Sequence, residues 1–374
     1  MRVRVIIYFV FFSCFSLGIL FIDSYLNEIL EKKIANEKSS YISSIKIKCV
    51  GDIFLHNSNL EAAKTNSGYD FSSAFENVSV PLTDADITSC WLGGVFDSAG
   101  PYAGYPLFKS PVELLDALKE SGFDIMLRTN HTYDYNEAGL ISTSGNIKKR
   151  GLIQLGAYAS EEESEHIFTF SKDSLTLSMI SYTYWLNGFK AKKPWQVSLI
   201  DTEKIAEDIK KAKTVSDFVI VFLHYGTEYS REPSEYQRKI ARFCAEKGAG
   251  IIIGSHPHVI EPVETIITED GRIVYSAYSL GNFFCGQRER YTDCGVILSF
   301  FVEKSSRSNS KAIVKGLSYT PTYVCKYTEN GNFKYKIVLS QTFADTSDTM
   351  LDRIILESLS DTRDILKLIS DTLK

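Results

Sequence analysis

From residue 45 onward, short apolar runs alternate with longer amphipathic stretches. IKIKCV (45–50), FDIML (123–127), LIQLGA (152–157), LTLSMISYTY (175–184), DFVIVFLHYG (217–226) and GIIIGS (250–255) have the length and composition of strands. Between them lie helical patterns. SPVELLDALKESG (110–122) opens on Ser-Pro and closes on Gly, and PSEYQRKIARFCAEKGA (233–249) again starts with Pro. EAGLISTSGNIKKRG (137–151) and IDTEKIAEDIKKAKTVS (200–216) complete the set. Strand-helix alternation of this kind predicts an α/β sheet covered by helices. Four later runs, at 272–280, 295–302, 312–324 and 334–340, have no long helix between them and suggest a mixed or antiparallel second layer. Residues 347–374 read as a polar helix.

The amino terminus breaks this pattern. Residues 5–22 carry no charge and follow Arg2 and Arg4, while Asp23 and Glu28 come after them. Eighteen such residues approach the length that crosses a hydrocarbon core, and the leading arginines place the terminus in the cytoplasm. A cleaved signal peptide is the rival reading, but no A-x-A-like cleavage site follows. The expectation is a membrane anchor at 1–22, a polar stalk at 23–44 and an extracellular domain. The formal net charge of −5 argues against a duplex nucleic-acid binder. Six of the seven cysteines lie beyond the apolar segment without CxxC or metal-type spacing; they read as buried free thiols, with pairing in an oxidising exterior, Cys285 and Cys294 being nearest in sequence, as the alternative.

The chemistry gathers where the predicted strands end. Strand 45–50 runs into Gly51-Asp52, with His56 close behind; strand 123–127 into Arg128-Thr129-Asn130-His131; strand 217–223 into His224; and strand 250–253 into Gly254-Ser255-His256-Pro257-His258. Ligands of open α/β sheets bind outside the carboxyl ends of the strands. Four segments therefore aim carboxylate, amide and imidazole at one edge, a donor set suited to a divalent metal. Five of the six histidines belong to this set; His166 sits in a Glu-Ser run and reads as solvated. If Pro257 holds its neighbours extended, His256 and His258, two residues apart, face the same way.

The segments GDIFLH (51–56), YDFSSAFENV (69–78), GYPLFKSP (104–111), GFDIMLRTNHTYDY (122–135), FLHYGTEY (222–229), IIIGSHPHVIEPVE (251–264), YSLGNFF (278–284) and YTPTYV (319–324) occur in one order. In that order the chain resembles the poly-γ-glutamate capsule biosynthesis proteins of the CapA type, a branch of the calcineurin-like metallophosphoesterase superfamily. The resemblance implies a four-layer sandwich of two mixed β-sheets flanked by helices, here over 45–340, followed by a helical tail at 341–374. It implies a divalent-metal site of one or two ions (Mn, Fe, Zn or Mg), with Asp52, Asn130, His224, His256 and His258 as ligands and His131 as proton donor. His56 and Asn282 are candidates for contacting substrate. The implied setting is the cell membrane, with an extracellular anionic polymer, or its synthesis or export machinery, as partner. One piece departs: the family's Asn-Leu-Glu triplet is replaced by Trp91-Leu92-Gly93, which removes an amide and a carboxylate. Asp97 stands four residues beyond. That departure keeps open a non-catalytic assembly or export subunit beside the metal-dependent hydrolase. A cell-wall binding module using Trp91 and Tyr102–Tyr105 is a further alternative.

Overall fold

A computed structural model describes residues 41–306, 310–339 and 349–372. The anchor expected at 1–22 lies outside the described residues, as does all of the stalk up to residue 40. Among the described residues, no helix is long and apolar enough to cross a membrane. Residues 44–303 and 312–374 form one compact unit, which contains every site described below.

In chain order, the first half contains strands β1 (Ile42–Ile53), β2 (Ile87–Leu92), β3 (Val95–Asp97), β4 (Lys109–Pro111), β5 (Ile125–Arg128) and β6 (Ile153–Leu155). Helices α1 (Asn57–Ala63), α2 (Ser72–Thr83), α3 (Glu113–Glu120) and α4 (Asn136–Lys149) alternate with them, and a 3-10 turn spans Asn130–Tyr133. The short α5 (Glu161–Glu165) leads into β7 (Phe168–Lys172), β8 (Leu175–Thr183), α6 (Thr202–Val215), β9 (Phe218–His224), α7 (Glu235–Lys247) and β10 (Ile251–Ser255). Then come β11 (Val263–Ile267), β12 (Ile273–Ala277), β13 (Asn282–Phe284), β14 (Cys294–Ser305), β15 (Ile313–Glu329), β16 (Asn332–Leu339) and α8 (Thr349–Thr372).

Two sheets result. The first runs β16-β15-β14-β1-β2-β5-β6, with β13 pairing the end of β1; the second runs β11-β12-β10-β9-β8-β7. β1, β2, β5 and β6 are parallel neighbours, as are β8, β9, β10 and β12. The late strands do not build a layer of their own. β14 to β16 extend the first sheet as antiparallel strands beside β1, and β11 closes the second antiparallel to β12.

Side-chain alternation explains the layering. Along β9, Ile220 and Phe222 join Ile45, Ile47, Trp91 and Leu127 in a core between the sheets, whereas Val219, Val221 and Leu223 face α6 and α7. On the other side Val50, Cys90 and Met126 meet Phe75, Leu114 and Leu118 of α2 and α3. The result is a four-layer sandwich, helix-sheet-sheet-helix, with the two mixed sheets that the resemblance implies. α8, within the expected helical tail, packs on β11 and β15, with Ile355 and Leu366 in the inter-sheet core. Trp91 is likewise fully buried there, 5.8 Å from the Phe222 ring, and so cannot be the polymer contact of a binding module. The six described cysteines are buried free thiols.

Candidate metal centre

β1 delivers Asp52 one residue before its end. Gly51 allows this strand to approach β13 closely: a Cβ there would lie 1.8 Å from the Gly281 carbonyl oxygen, to which the Asp52 amide donates at 2.9 Å. Asp52 is thereby set in register with Asn282. In the other sheet β9 ends on His224, paired with Ser255 at the end of β10, and His256 follows directly. The carboxyl ends of both sheets thus meet: the Asp52 carboxylate, from the first, stands 3.1 Å from His224 Nε2, from the second. Both side chains are completely buried.

His256 and His258 reach this cluster differently from the extended segment expected. Their φ angles are 115° and 62°, a region that side-chain-bearing residues rarely adopt. β10 stops at Ser255, and the turn through Pro257 brings the His258 ring to Asp52 of the first sheet and leaves the His256 ring beside His224, with the two centroids 6.0 Å apart. The Tyr229 amide braces the turn by donating to the Pro257 carbonyl at 2.8 Å. Strain of this kind persists only where surrounding contacts enforce it, and it concentrates at functional sites. The His256 ring lies 5.0 Å from His224 and 4.6 Å from Tyr184. His258 Nδ1 hydrogen-bonds the Asn282 carbonyl oxygen at 3.0 Å. Its 3.3 Å approach to Asp52 Oδ2 is a charge contact rather than a hydrogen bond, since that oxygen has no hydrogen-bond partner.

Asn130 and His131 occupy the 3-10 turn after β5, where the Thr129 hydroxyl accepts from the His131 amide at 3.2 Å. His131 Nδ1 donates to Asp134 Oδ2 at 2.8 Å. The same oxygen accepts from the Phe108 amide at 2.8 Å, and Oδ1 accepts from Asn187 at 2.9 Å. Asp134 is a site residue that the sequence reading missed; its signal was a carboxylate three positions after His131.

His56 and Asn282, the candidates for contacting substrate, are each engaged by protein groups. His56 Nδ1 accepts from the Gly286 amide at 3.1 Å, and its ring packs on Phe108. The Asn282 amide nitrogen donates to Gln287 and Thr292 and its oxygen faces His258, so this residue positions His258. Asp97 does not replace the missing Glu: its carboxylate accepts from the Ala99 amide and faces Lys109. His166 is exposed, as expected.

Burial raises the cost of charge throughout the cluster, and neighbours decide the outcome. Burial alone would raise the Asp52 carboxyl, but His224 and His258 beside it hold it well below the usual carboxylate range. Burial lowers His224, opposed by Asp52, and lowers His256 further because His224 and His258 add repulsion. His56 is pushed down to about 4, again chiefly by burial. For His258, burial is outweighed by Asp52 and Asn282, and its affinity for a proton rises. An ionised carboxylate beside neutral rings at His224 and His256 is the protonation state that metal ligation needs, whereas His258 would have to give up its extra proton to an ion.

Among the described residues, no group of three or more His, Cys, Asp or Glu side chains is placed so that it could hold a metal ion. The donor chemistry nevertheless fits an ion. Asp52 Oδ2, Asn130 Oδ1, His224 Nδ1 and His256 Nδ1 are all buried without a hydrogen-bond partner. Each such atom costs about 1–3 kcal/mol, and three of them belong to residues in contact, Asp52 with His224 and His224 with His256, which calls for a ligand.

The chain is 29% identical over 241 residues to the PGA biosynthesis protein CapA of Bacillus subtilis (strain 168), covering 60% of this chain and 62% of that one. It is 30% identical over 209 residues to the capsule biosynthesis protein CapA of Bacillus anthracis, covering 54% and 49%. The matches therefore span less than two thirds of these relatives. Among solved structures, the NAD nucleotidase of Haemophilus influenzae superposes with a TM-score of 0.48 at 12% identity, over 87% of this chain and 64% of that one. The model of the bacterial capsule synthesis protein family PGA_cap matches residues 46–287, a range that contains all the residues of the cluster, and the chain belongs to that family.

Proposed function

We propose that this chain acts at the cell surface in the production or export of an anionic capsule polymer of the poly-γ-glutamate type, and that its strand-end cluster is a divalent-metal-dependent hydrolytic site. The observation that carries the metal reading is the set of four unpartnered buried polar atoms on Asp52, Asn130, His224 and His256. Family membership supports the polymer, and the uncharged run at 5–22 behind Arg2 and Arg4 supports the membrane tether.

Asp52, Asn130, His224, His256 and His258 would hold the ion. When bound, it would supply Lewis acidity toward a phosphoryl or amide oxygen and a water ionised near neutral pH. Asn282 fixes the ring of His258 by taking its Nδ1 proton in a hydrogen bond. Asp134 accepts the Nδ1 proton of His131, so Nε2 is the atom that exchanges a proton with the leaving group. The exposed Tyr229 and Tyr184 rings border the two histidines of the turn and offer the solvent-facing side of the site.

A second reading, a non-catalytic assembly or export subunit, is favoured by Gly93, which supplies no donor where the family has a carboxylate. Metal content of the purified full-length chain, with turnover of a generic phosphodiester and of poly-γ-glutamate, tests the first reading. Bound metal with turnover of either substrate is expected; absence of both under varied metals defeats it. The His256→Ala/His258→Ala variant separates the two in cells. Polymer output falls if the site is catalytic and persists if the chain only assembles others.

A further inference from the structure

We infer that the cluster takes one divalent ion rather than two, because the ring of Phe54 fills the space that a second would need. The inference rests on the metal reading above and refines it. Gly93 follows β2 directly, and its amide donates to the Ile53 carbonyl at 3.1 Å, which fixes it beside the end of β1. A Cβ at Gly93 would lie 1.9 Å from the Phe54 ring. The glycine is therefore matched to the phenylalanine: position 93 has no donor, and hydrocarbon stands where its side chain would go.

Phe54 does not stand alone. Its ring packs edge-on against His131 at 5.4 Å and His258 at 5.6 Å, and against Phe108 at 5.1 Å. Phe108 in turn covers His131 at 4.8 Å and His56 at 5.3 Å. A divalent cation needs several nitrogen or oxygen donors at roughly 2.0–2.6 Å. On this side the imidazoles are His56, whose Nδ1 lone pair is taken by the Gly286 amide, and His131, whose Nδ1 is bonded to Asp134 and whose Nε2 is a single nitrogen with no carboxylate at position 93 beside it. Arg128 holds the Gly93 turn in place by donating to the carbonyls of Leu92 and Gly94, and this buried cation is a further obstacle to a second positive charge. The unpartnered donors, by contrast, belong to Asp52, Asn130, His224 and His256. The cleft has a polar half built for one ion and an aromatic half that excludes another.

The test loads the purified full-length chain with manganese(II), removes weakly held metal, and reads stoichiometry by elemental analysis and coupling by electron paramagnetic resonance. One ion per chain with an uncoupled manganese spectrum is expected. Two ions, or a spin-coupled pair, overturns the inference while leaving the metal reading intact. Absence of any bound ion overturns both. The Phe54→Ala/Gly93→Glu double variant removes the ring and restores a carboxylate, and it should gain a second, coupled ion. A folded double variant that still holds one ion overturns the role assigned to Phe54. If the double variant does not fold, the wild-type stoichiometry decides.

Discussion

Asp52 and Asp134 are both buried carboxylates hydrogen-bonded to a histidine, yet they are built for different work. Asp134 is satisfied: Oδ2 accepts from His131 and from the Phe108 amide, and Oδ1 accepts from Asn187. Asp52 meets His224 through Oδ1 and leaves Oδ2 without a hydrogen bond, at the join of two sheets. A satisfied buried carboxylate orients what it touches, and an unsatisfied one is poised to bind. A third case, Glu261, sharpens the contrast. It accepts from Gln237 at 2.6 Å through one oxygen, and the other is unpartnered. Among the described residues no histidine or arginine bonds it, and burial pushes its carboxyl up to about 8.

The largest expected effect follows from Asp52. Asp52→Ala removes the central donor and the group that keeps His258 and His224 in place, so metal affinity should fall by more than ~100-fold and any turnover with it. Equilibrium dialysis against a buffered metal series checks this; wild-type affinity in the variant would mean that Asp52 is not a ligand. Asp134→Asn should do something different. The ion stays, because Asp134 has no ligand role, but the amide has one acceptor oxygen for the His131, Phe108 and Asn187 donors and no charge to support the His131 proton, so turnover falls by ~10²–10⁴-fold. Metal content and kcat measured on the same sample separate the two carboxylates, and equal loss of metal in both variants would collapse the distinction.

Glu261 predicts a pH effect on stability. Its folded value of about 8 lies above its unfolded value of 4.5, so the folded state holds the proton more tightly. The stabilisation is complete below the unfolded value and is lost as pH rises from there through about 8. Glu261→Gln, which keeps an acceptor for Gln237, removes that loss. The stability difference between variant and wild type should shift in favour of the variant between pH 5 and 9, by up to ~4 kcal/mol. Chemical denaturation across that range reads it, and parallel curves for the two proteins would show that Glu261 is charged in the fold.

How much of this was legible in the sequence depends on the range of the interaction that decides each feature. Strands such as Phe218–His224 and Ile251–Ser255 are uninterrupted apolar runs bounded by polar residues, so their existence and the metal-type residues at their ends could be read locally. Helix α2, by contrast, carries Pro81 near its end and a mixed face, and only packing of Phe75, Val78 and Leu82 against the first sheet makes its helical pattern plain. The turn through Pro257 defeated a local rule. The residue before a proline prefers an extended backbone, yet His256 adopts a positive φ because tertiary contacts hold it there. Gly93 was visible as a missing carboxylate. Its structural counterpart, Phe54, was not, because their contact depends on how β1 and β2 are paired in the first sheet.

Asn282 provides the smallest and most discriminating break in the comparison. It stands beside Asp52 in register but reaches the cluster only through His258, as Asp134 reaches it only through His131. Asn282→Ala frees the His258 ring and leaves the Thr292 carbonyl with only the Cys285 thiol as donor. If His258 is a ligand held from behind, metal affinity should fall by about tenfold, near the lower end of what loss of an orienting partner costs. The fold should survive, since the β1–β13 pairing is made by backbone. Asn282→Asp should restore most of the affinity, because a carboxylate oxygen in the same place accepts from His258 Nδ1. Affinity unchanged in Asn282→Ala would show that His258 takes no part in holding the ion, and would leave Asp52, His224 and His256, with Asn130, as the whole of the site.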